Sequence, residues 1–231
     1  MKYSPDHYIL LDWGWGQLNA TLVFTWIIMV LMVGGSWWIT RRLSSSTNIS
    51  AGQNLLEVLV QGMVDHIEEI TLRPARQLLP LVGTLFLFIL VSNILGLVPF
   101  FQPPTGSLST TCAFALLVFV AVPAYGLTTR TLSNYLGEYV KPTILMLPFN
   151  ILGEISRTFA LAVRLYGNVM SSTVIGMVLL LITPLFVPVI MQALGLLTGV
   201  IQAYIFALLA LVYIASAMSN ESQPIKEEQD D

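Results

Sequence analysis

Residues 147–172 read LPFNILGEISRTFALAVRLYGNVMSS and place Arg164 deep inside an apolar run. From Ile144 to Met218 the only fully charged side chains are Glu154, Arg157 and Arg164. A charged side chain at bilayer depth costs at least about 2.5–3.5 kcal/mol, so its presence needs a reason. Arg157 could reach the headgroups, or pair with Glu154 one helical turn away. Arg164 has long apolar stretches on both sides, and we therefore predict that it is functional.

The composition indicates a polytopic membrane protein. Of the 231 residues, 55% are hydrophobic and only 10% are charged, which is too little charge to cover the surface of a soluble domain. The net charge of −3 comes largely from residues 221–231, which hold five acids and one lysine and predict a solvated tail. The single cysteine, Cys112, excludes an internal disulfide and a thiol metal cluster.

Hydrophobic periodicity predicts an all-α membrane fold with five crossing helices. We expect them at about Asn19–Thr40, Leu78–Val98, Thr110–Thr129, Phe149–Thr183 and Pro188–Met218. In Asn54–Leu72, apolar residues at three- and four-residue spacing alternate with acids, which predicts an amphipathic helix on the membrane surface. The last two helices, at about 45 Å each, exceed the roughly 30 Å hydrocarbon thickness. We therefore expect them to tilt strongly and to form a hairpin.

The basic residues predict the topology. The connections that alternate counting assigns to one side contain Arg41, Arg42, Arg73, Arg76, Arg130 and Lys141. The loop 99–109 has no basic residue. The positive-inside rule then places the N-terminus outside and the C-terminus in the cytoplasm. We predict one polytopic membrane domain over 1–231, with an extracytoplasmic segment 1–18, a helical part 19–218 and an acidic cytoplasmic tail 219–231.

A polar stripe follows the helix that contains Arg164. At about 100° per residue, Arg157 and Ser171 each lie about 20° from Arg164, on either side of it, and Asn168 lies about 40° from Arg164. Thr173 points to the opposite face. The last helix has its own polar or small residues at Gly195, Thr198, Gly199, Gln202 and Tyr213. We expect the two faces to meet, so that the last helix offers Arg164 hydrogen-bond acceptors and the two glycines allow close approach.

The chemistry of a fixed guanidinium limits what Arg164 can do. It stays protonated at any relevant pH, so it cannot carry protons by releasing one. It can attract a carboxylate on a partner, displace the cation bound there, and block cations from leaking past. That chemistry needs an acidic partner in the membrane, which this chain does not supply.

Three sequence motifs resemble those of one family in order and spacing. They are Ser92-Asn93-Ile94-Leu95-Gly96-Leu97-Val98-Pro99, Arg164-Leu165-Tyr166-Gly167-Asn168 and Ile201-Gln202-Ala203-Tyr204-Ile205-Phe206. Together they resemble subunit a of the F-type ATP synthase, the stator of the membrane-embedded Fo motor, over about residues 20–218. The chain has no Walker-type phosphate-binding motif, so nucleotide chemistry is expected on other subunits and no cofactor is expected.

The resemblance implies roles for individual residues. Arg164 would be the stator arginine that faces the carboxylates of a c-subunit ring, with Gln202 as its polar partner on the final helix. Two offset half-channels would lead ions to and from that ring. The expected ion-translocation residues are Arg164, Gln202, Asn168, Glu154, Arg157 and Tyr213. The expected half-channel residues are Asn93, Ser171, Ser172, Thr173, Thr198 and Ser216.

The resemblance also implies the binding partners and the cellular location of the chain. Expected partners are the c-ring, the peripheral-stalk b subunits, other ATP synthase subunits and membrane lipid, with no nucleic acid. The expected location is a prokaryotic inner membrane or an equivalent coupling membrane.

Three departures from proton-coupled relatives bear on the coupling ion. Thr173 stands where those relatives usually have Glu or His, Gly195 stands near where some have an ionisable group, and Ser107 replaces a common loop acid. A proton path needs titratable relays, whereas hydroxyls and carbonyls suit sodium. The chain thus resembles the sodium-translocating N-type branch. We expect sodium rather than protons, passing transiently without a fixed metal site, although chains of water could also carry protons.

Two other classes of function compete with the stator. A secondary transporter or autonomous channel would use Glu154 and Arg164 as its own intramembrane site. A purely structural membrane subunit would not require a charge as costly as Arg164. Co-purification with an oligomeric ring would favour the stator, and function as an isolated monomer would favour the transporter.

Overall fold

The computed structural model describes residues 9–12, 17–41, 51–71, 75–98, 101–129, 137, 145–183 and 187–218. These residues form six long α-helices: α1 (Ala20–Thr40), α2 (Ala51–Thr71), α3 (Leu79–Leu95), α4 (Leu108–Thr129), α5 (Met146–Ile182) and α6 (Val187–Met218). Single 3-10 turns lie at Ala75–Gln77 and Pro104–Gly106. The predicted connections at 43–53, 131–142 and 184–188, and the tail at 219–231, lie wholly or largely outside the described residues.

The prediction of an all-α membrane fold is confirmed. Helices α1, α4, α5 and α6 are long and apolar enough to cross a membrane, while α3 has 17 residues, the lower limit for a crossing. The count of five crossings therefore remains a prediction. The sequence did not indicate the two short antiparallel strands before α1, β1 (Ile9–Asp12) and β2 (Gln17–Asn19).

Helix α2 has the amphipathic character that its sequence predicts. Ile67 is buried, whereas Glu57, Asp65 and Glu68 are exposed. The apolar side approaches α3, because a Cβ at Gly83 would lie 3.4 Å from the sulfur of a methionine of α2. One face of α2 thus packs on the helical core and the other carries the acids.

The last two helices form an antiparallel hairpin. Arg157 lies over the ring of Tyr213 with 5.8 Å between its Cζ and the ring centroid. Further along α5, the Asn168 amide donates a hydrogen bond to the Thr198 carbonyl at 3.1 Å. The residue numbers of the partners on α6 decrease as those on α5 increase, so the two helices run antiparallel. With 37 and 32 residues, the helices are about 55 and 48 Å long at 1.5 Å per residue.

The core lies where α3, α4, α5 and α6 meet. Its fully buried side chains include Ile89, Leu165, Phe206 and Ile214. Edge-on packing of Phe88 and Phe114, with ring centroids 5.1 Å apart, joins α3 to α4. Burial of these apolar faces fixes the α5–α6 hairpin against the rest of the bundle and decides which faces stay open.

Candidate functional site

Arg164 lies on the outer face of α5. Its neighbours Leu161 and Leu165 are 2% and 0% exposed and lie in the core, whereas Arg164 is turned away from the core and is exposed. The Arg164 side chain is exposed and makes no hydrogen bond or ion pair with the described residues. The structure thus differs from our expectation that α6 supplies acceptors to Arg164, because the apolar side chains of α5 occupy the contact with the core. As far as the described residues go, the guanidinium is therefore available to a group from another molecule.

Gln202 lies at the same level of the hairpin as Arg164. The Asn168–Thr198 hydrogen bond fixes the register, and one helical turn from it lie Arg164 on α5 and Gln202 on α6. Gln202 is only 7% exposed, and its Nε2 has no hydrogen-bond partner among the described residues. A buried amide donor that is left unpaired costs about 1–3 kcal/mol. Gln202 therefore has an unpaired donor, with respect to the described residues, close to the level of Arg164.

One cavity lies between α4 and the α5–α6 hairpin, on the side of Arg164 that faces the start of α5. It has a volume of about 380 Å³ and is lined by Glu154, Arg157, Tyr213 and Ser216 among others. We call it the Glu154 cavity. It brings together four of the residues predicted for ion translocation or channel lining. Arg164 does not line it, so Glu154 and Arg164 do not share one enclosed site of the kind that a transporter would use.

A second cavity lies on the other side of Arg164, between the end of α3, the second half of α5 and the start of α6. Its volume is about 510 Å³, and its polar side chains are Asn93, Gln102, Ser172, Thr173 and Gln192. We call it the Thr173 cavity. No Asp, Glu, His, Lys, Arg, Cys or Tyr is among its described lining residues. Its wall therefore offers oxygens and amides but no titratable group.

Asn93 connects α3 to α6 at the edge of the Thr173 cavity. Its Nδ2 donates to the Gly199 carbonyl at 2.8 Å, and its Oδ1 accepts from the Thr105 hydroxyl at 3.3 Å. A Cβ at Gly199 would lie 3.1 Å from Asn93, so any larger residue would require Asn93 to move by a few tenths of an ångström. The close approach predicted for Gly195 and Gly199 thus occurs towards different partners, since Gly195 lies against Ser172.

The remaining predicted residues divide between the cavities and the outer face. Ser171 and Thr198 are exposed, and their hydroxyls donate to carbonyls of their own helices. Ser172 and Thr173 line the Thr173 cavity, although Thr173 lies on a different face from Arg164, as the helical angle predicts. The sequence reasoning missed Gln102, Gln192, Ser92 and Thr105. The polar pair Ser92-Asn93 within an apolar helix was the available signal for the buried contact with Thr105.

The fold and the site together define a class: a multi-pass helical membrane protein with an exposed arginine on one apolar helix and a cavity on each side of it. Comparison with known proteins gives the family. Residues 22–215 match the family described as "ATP synthase A chain". The chain belongs to this family, whose members are ion-translocating, non-catalytic Fo subunits that work with other ATP synthase subunits.

Relatives in several organisms agree with this assignment. "ATP synthase subunit a 2" of Acaryochloris marina is 59% identical over 217 residues, which covers 94% of this chain and 93% of the relative. "ATP synthase subunit a 2" of Picosynechococcus sp. is 53% identical, with coverage of 94% and 93%. "ATP synthase subunit a" of Albidiferax ferrireducens is also 53% identical and covers 94% of each chain.

Proposed function

We propose that this chain is the Fo stator subunit in which Arg164 faces the carboxylates of a rotating c-ring. The observation that carries the proposal is the placement of Arg164. It is exposed on α5, has no partner in the described chain, and lies between two cavities that do not include it. At bilayer depth such a cation needs a carboxylate from outside the chain. The exposed face of α5 is then the surface that the ring passes.

The electrostatics explain how an exposed arginine drives ion release. Two unit charges 4 Å apart attract by about 4 kcal/mol at an effective dielectric constant of 20. A ring carboxylate that reaches Arg164 releases its bound cation and pairs with the guanidinium. Further rotation of the ring separates this ion pair, and the carboxylate can then bind a new cation. Gln202, which lies at the same level, is the proposed polar partner of Arg164 on α6.

The two cavities serve as the half-channels in this proposal. Along α5 the Glu154 cavity ends at Thr158 and the Thr173 cavity begins at Val169, a separation of about 16 Å with Arg164 between them. An ion that enters by one cavity therefore has to travel with the ring to reach the other. The positive-inside rule places the Thr173 cavity on the extracytoplasmic side and the C-terminus in the cytoplasm.

We propose sodium as the coupling ion. The Thr173 cavity has hydroxyl and amide oxygens but no titratable side chain among its described lining residues, which suits a hard cation better than a proton relay. The peripheral-stalk b subunits and the c-ring are the proposed partners, in a prokaryotic inner membrane or an equivalent coupling membrane.

Substitution of Arg164 tests the stator role. In the complete complex reconstituted in vesicles, Arg164→Ala should abolish ATP-driven ion pumping while assembly stays intact. The exposed Arg76 lies on a 3-10 turn outside both cavities, and Arg76→Ala is the matched control. Retention of coupled pumping by Arg164→Ala would refute the proposed role.

The coupling ion has its own test. ATP hydrolysis by the complete complex should be stimulated by sodium at fixed pH. If sodium does not change the rate of hydrolysis and pumping depends on pH alone, the coupling ion is a proton. The stator role is tested separately by the Arg164→Ala experiment.

A further inference from the structure

Two asparagines from different helices donate hydrogen bonds to neighbouring carbonyls of α6. Nδ2 of Asn168, on α5, donates to the Thr198 carbonyl at 3.1 Å. Nδ2 of Asn93, on α3, donates to the Gly199 carbonyl at 2.8 Å. Both side chains thus bind the backbone of α6 rather than one of its side chains. We call these two contacts the amide clamp.

The clamped carbonyls belong to the helical turn that leads to Gln202. In an α-helix the carbonyl of residue i accepts the N–H of residue i+4, so the Thr198 carbonyl is also the backbone acceptor for Gln202. On α5, Asn168 follows Arg164 by the same four residues, which is about one turn. The contact between α5 and α6 therefore ties the turn of Arg164 to the turn of Gln202.

Asn93 holds the same part of α6 from a third helix, and it is itself held in place. Its Oδ1 accepts from the Thr105 hydroxyl at 3.3 Å, and that hydroxyl lies 3.2 Å from Ser92 Oγ. Ser92 and Thr105 are both fully buried. The backbone of α6 is thus bound from α3 and from α5 at adjacent residues. Two contacts from different helices restrict both sliding and rotation of α6 at this point.

The side chains of Arg164 and Gln202 do not fix this geometry themselves. Arg164 makes no hydrogen bond or ion pair with the described residues, and Gln202 Nε2 has no hydrogen-bond partner among them. Burial of apolar surface is non-directional, whereas a hydrogen bond has a preferred distance and angle. The amide clamp therefore supplies directional contacts where the two functional turns meet.

We propose that Asn93 and Asn168 are positioning residues, which hold Gln202 at a fixed height and rotation relative to Arg164. The inference rests on the proposed function, in which Arg164 meets the ring carboxylates and Gln202 is its polar partner. The asparagines act through the backbone of α6 rather than by binding the coupling ion. Loss of one amide hydrogen bond, about 1 kcal/mol, shifts the ratio of placed to displaced Gln202 about fivefold.

The test measures ATP synthesis by the complete complex reconstituted in vesicles. Asn168→Leu removes the amide with little change in side-chain size. It should lower the maximal rate up to about fivefold and leave the apparent KM for the coupling ion unchanged, with sodium and pH each varied. Asn168→Gln keeps a donor on a longer side chain, which has room because Asn168 is only partly buried, and should recover most of the rate.

A double-mutant cycle with Gln202→Leu distinguishes positioning from a general structural role. If the clamp acts through Gln202, Asn168→Leu should have little further effect once Gln202 is leucine. Asn93→Ala should follow the same pattern when rates are divided by the amount of assembled complex. Gln61→Leu is the matched control, because its exposed amide donates to Asp65 within α2, and it should leave the rate unchanged.

Four results would overturn the proposal. They are an unchanged rate in both Asn168→Leu and Asn93→Ala, an unchanged rate in Gln202→Leu, fully independent effects of Asn168→Leu and Gln202→Leu, or a raised KM for the coupling ion in Asn168→Leu. None of them bears on the stator role, which the Arg164→Ala experiment decides separately.

Discussion

The contact between Gly199 and Asn93 predicts that a single methyl group disturbs the bundle. In Gly199→Ala the new Cβ would lie 3.1 Å from Cβ, Cγ and Nδ2 of Asn93. Asn93 would have to shift by a few tenths of an ångström, which would lengthen and weaken its 2.8 Å hydrogen bond to the Gly199 carbonyl. The polar link between helices α3 and α6 at the edge of the Thr173 cavity would then be weakened.

Three energy terms set the expected loss of stability in Gly199→Ala. Overpacking costs about 1–3 kcal/mol, and the weakened hydrogen bond adds up to about 1 kcal/mol. The helix propensity of alanine returns up to about 1 kcal/mol. We expect Gly199→Ala to destabilise the bundle by about 1–3 kcal/mol. Asn93→Ala should cost a similar amount, because it removes the amide that donates to the Gly199 carbonyl and accepts from the Thr105 hydroxyl.

A double variant distinguishes the effect of this contact from a nonspecific loss of stability. In Asn93→Ala with Gly199→Ala the new methyl occupies space that the asparagine vacated. The double variant should therefore be more stable than the sum of the single effects predicts, by about 1–2 kcal/mol, as expected for residues in direct contact.

The single cysteine, Cys112, gives the assay. It lies on α4 and packs partly buried against the core. In the purified complex, the rate at which a maleimide labels Cys112 reports opening of the bundle, and mass spectrometry of this chain isolates the signal. Gly34→Ala is the control, because no atom lies within 4 Å of its Cβ position. Strictly additive single effects, or a Gly199→Ala variant that labels like Gly34→Ala, would contradict the reasoning.

Three further predictions follow from the same structure. Tyr213→Phe should keep the stacking with Arg157, while Tyr213→Leu should destabilise the hairpin by about 0.5–1 kcal/mol, measured as faster Cys112 labelling. Cysteines introduced as Ser216→Cys and Thr173→Cys, each with Cys112→Ala, should react with an impermeant thiol reagent from opposite sides of the membrane, and labelling from one common side would contradict the two-cavity arrangement. Gly195→Ala should narrow the Thr173 cavity, because its Cβ would lie 3.3 Å from Ser172, and should slow sodium-driven synthesis.

The apolar periodicity of the chain was sufficient to predict the helices, because each crossing helix needs a long apolar run and α2 alternates acids with apolar residues. The helix bounds moved by only a few residues, as with the predicted Phe149–Thr183 and the observed Met146–Ile182. The short strands β1 and β2 were missed, since a pair of three or four residues has too little pattern to stand out from a polar and aromatic terminus.

By itself, the sequence determined that an arginine stands in an apolar helix, that its spacing to Asn168 follows one face, and that the chain cannot neutralise it with an acid nearby. The direction in which Arg164 points was decided only by the tertiary structure, because the core takes the side of α5 that carries Leu161 and Leu165. The pairing of Asn93 with Gly199, 106 residues apart, depends in the same way on how the helices pack. Helical periodicity is a local property of the sequence, whereas contacts between distant residues form only when the helices pack their apolar faces against one another.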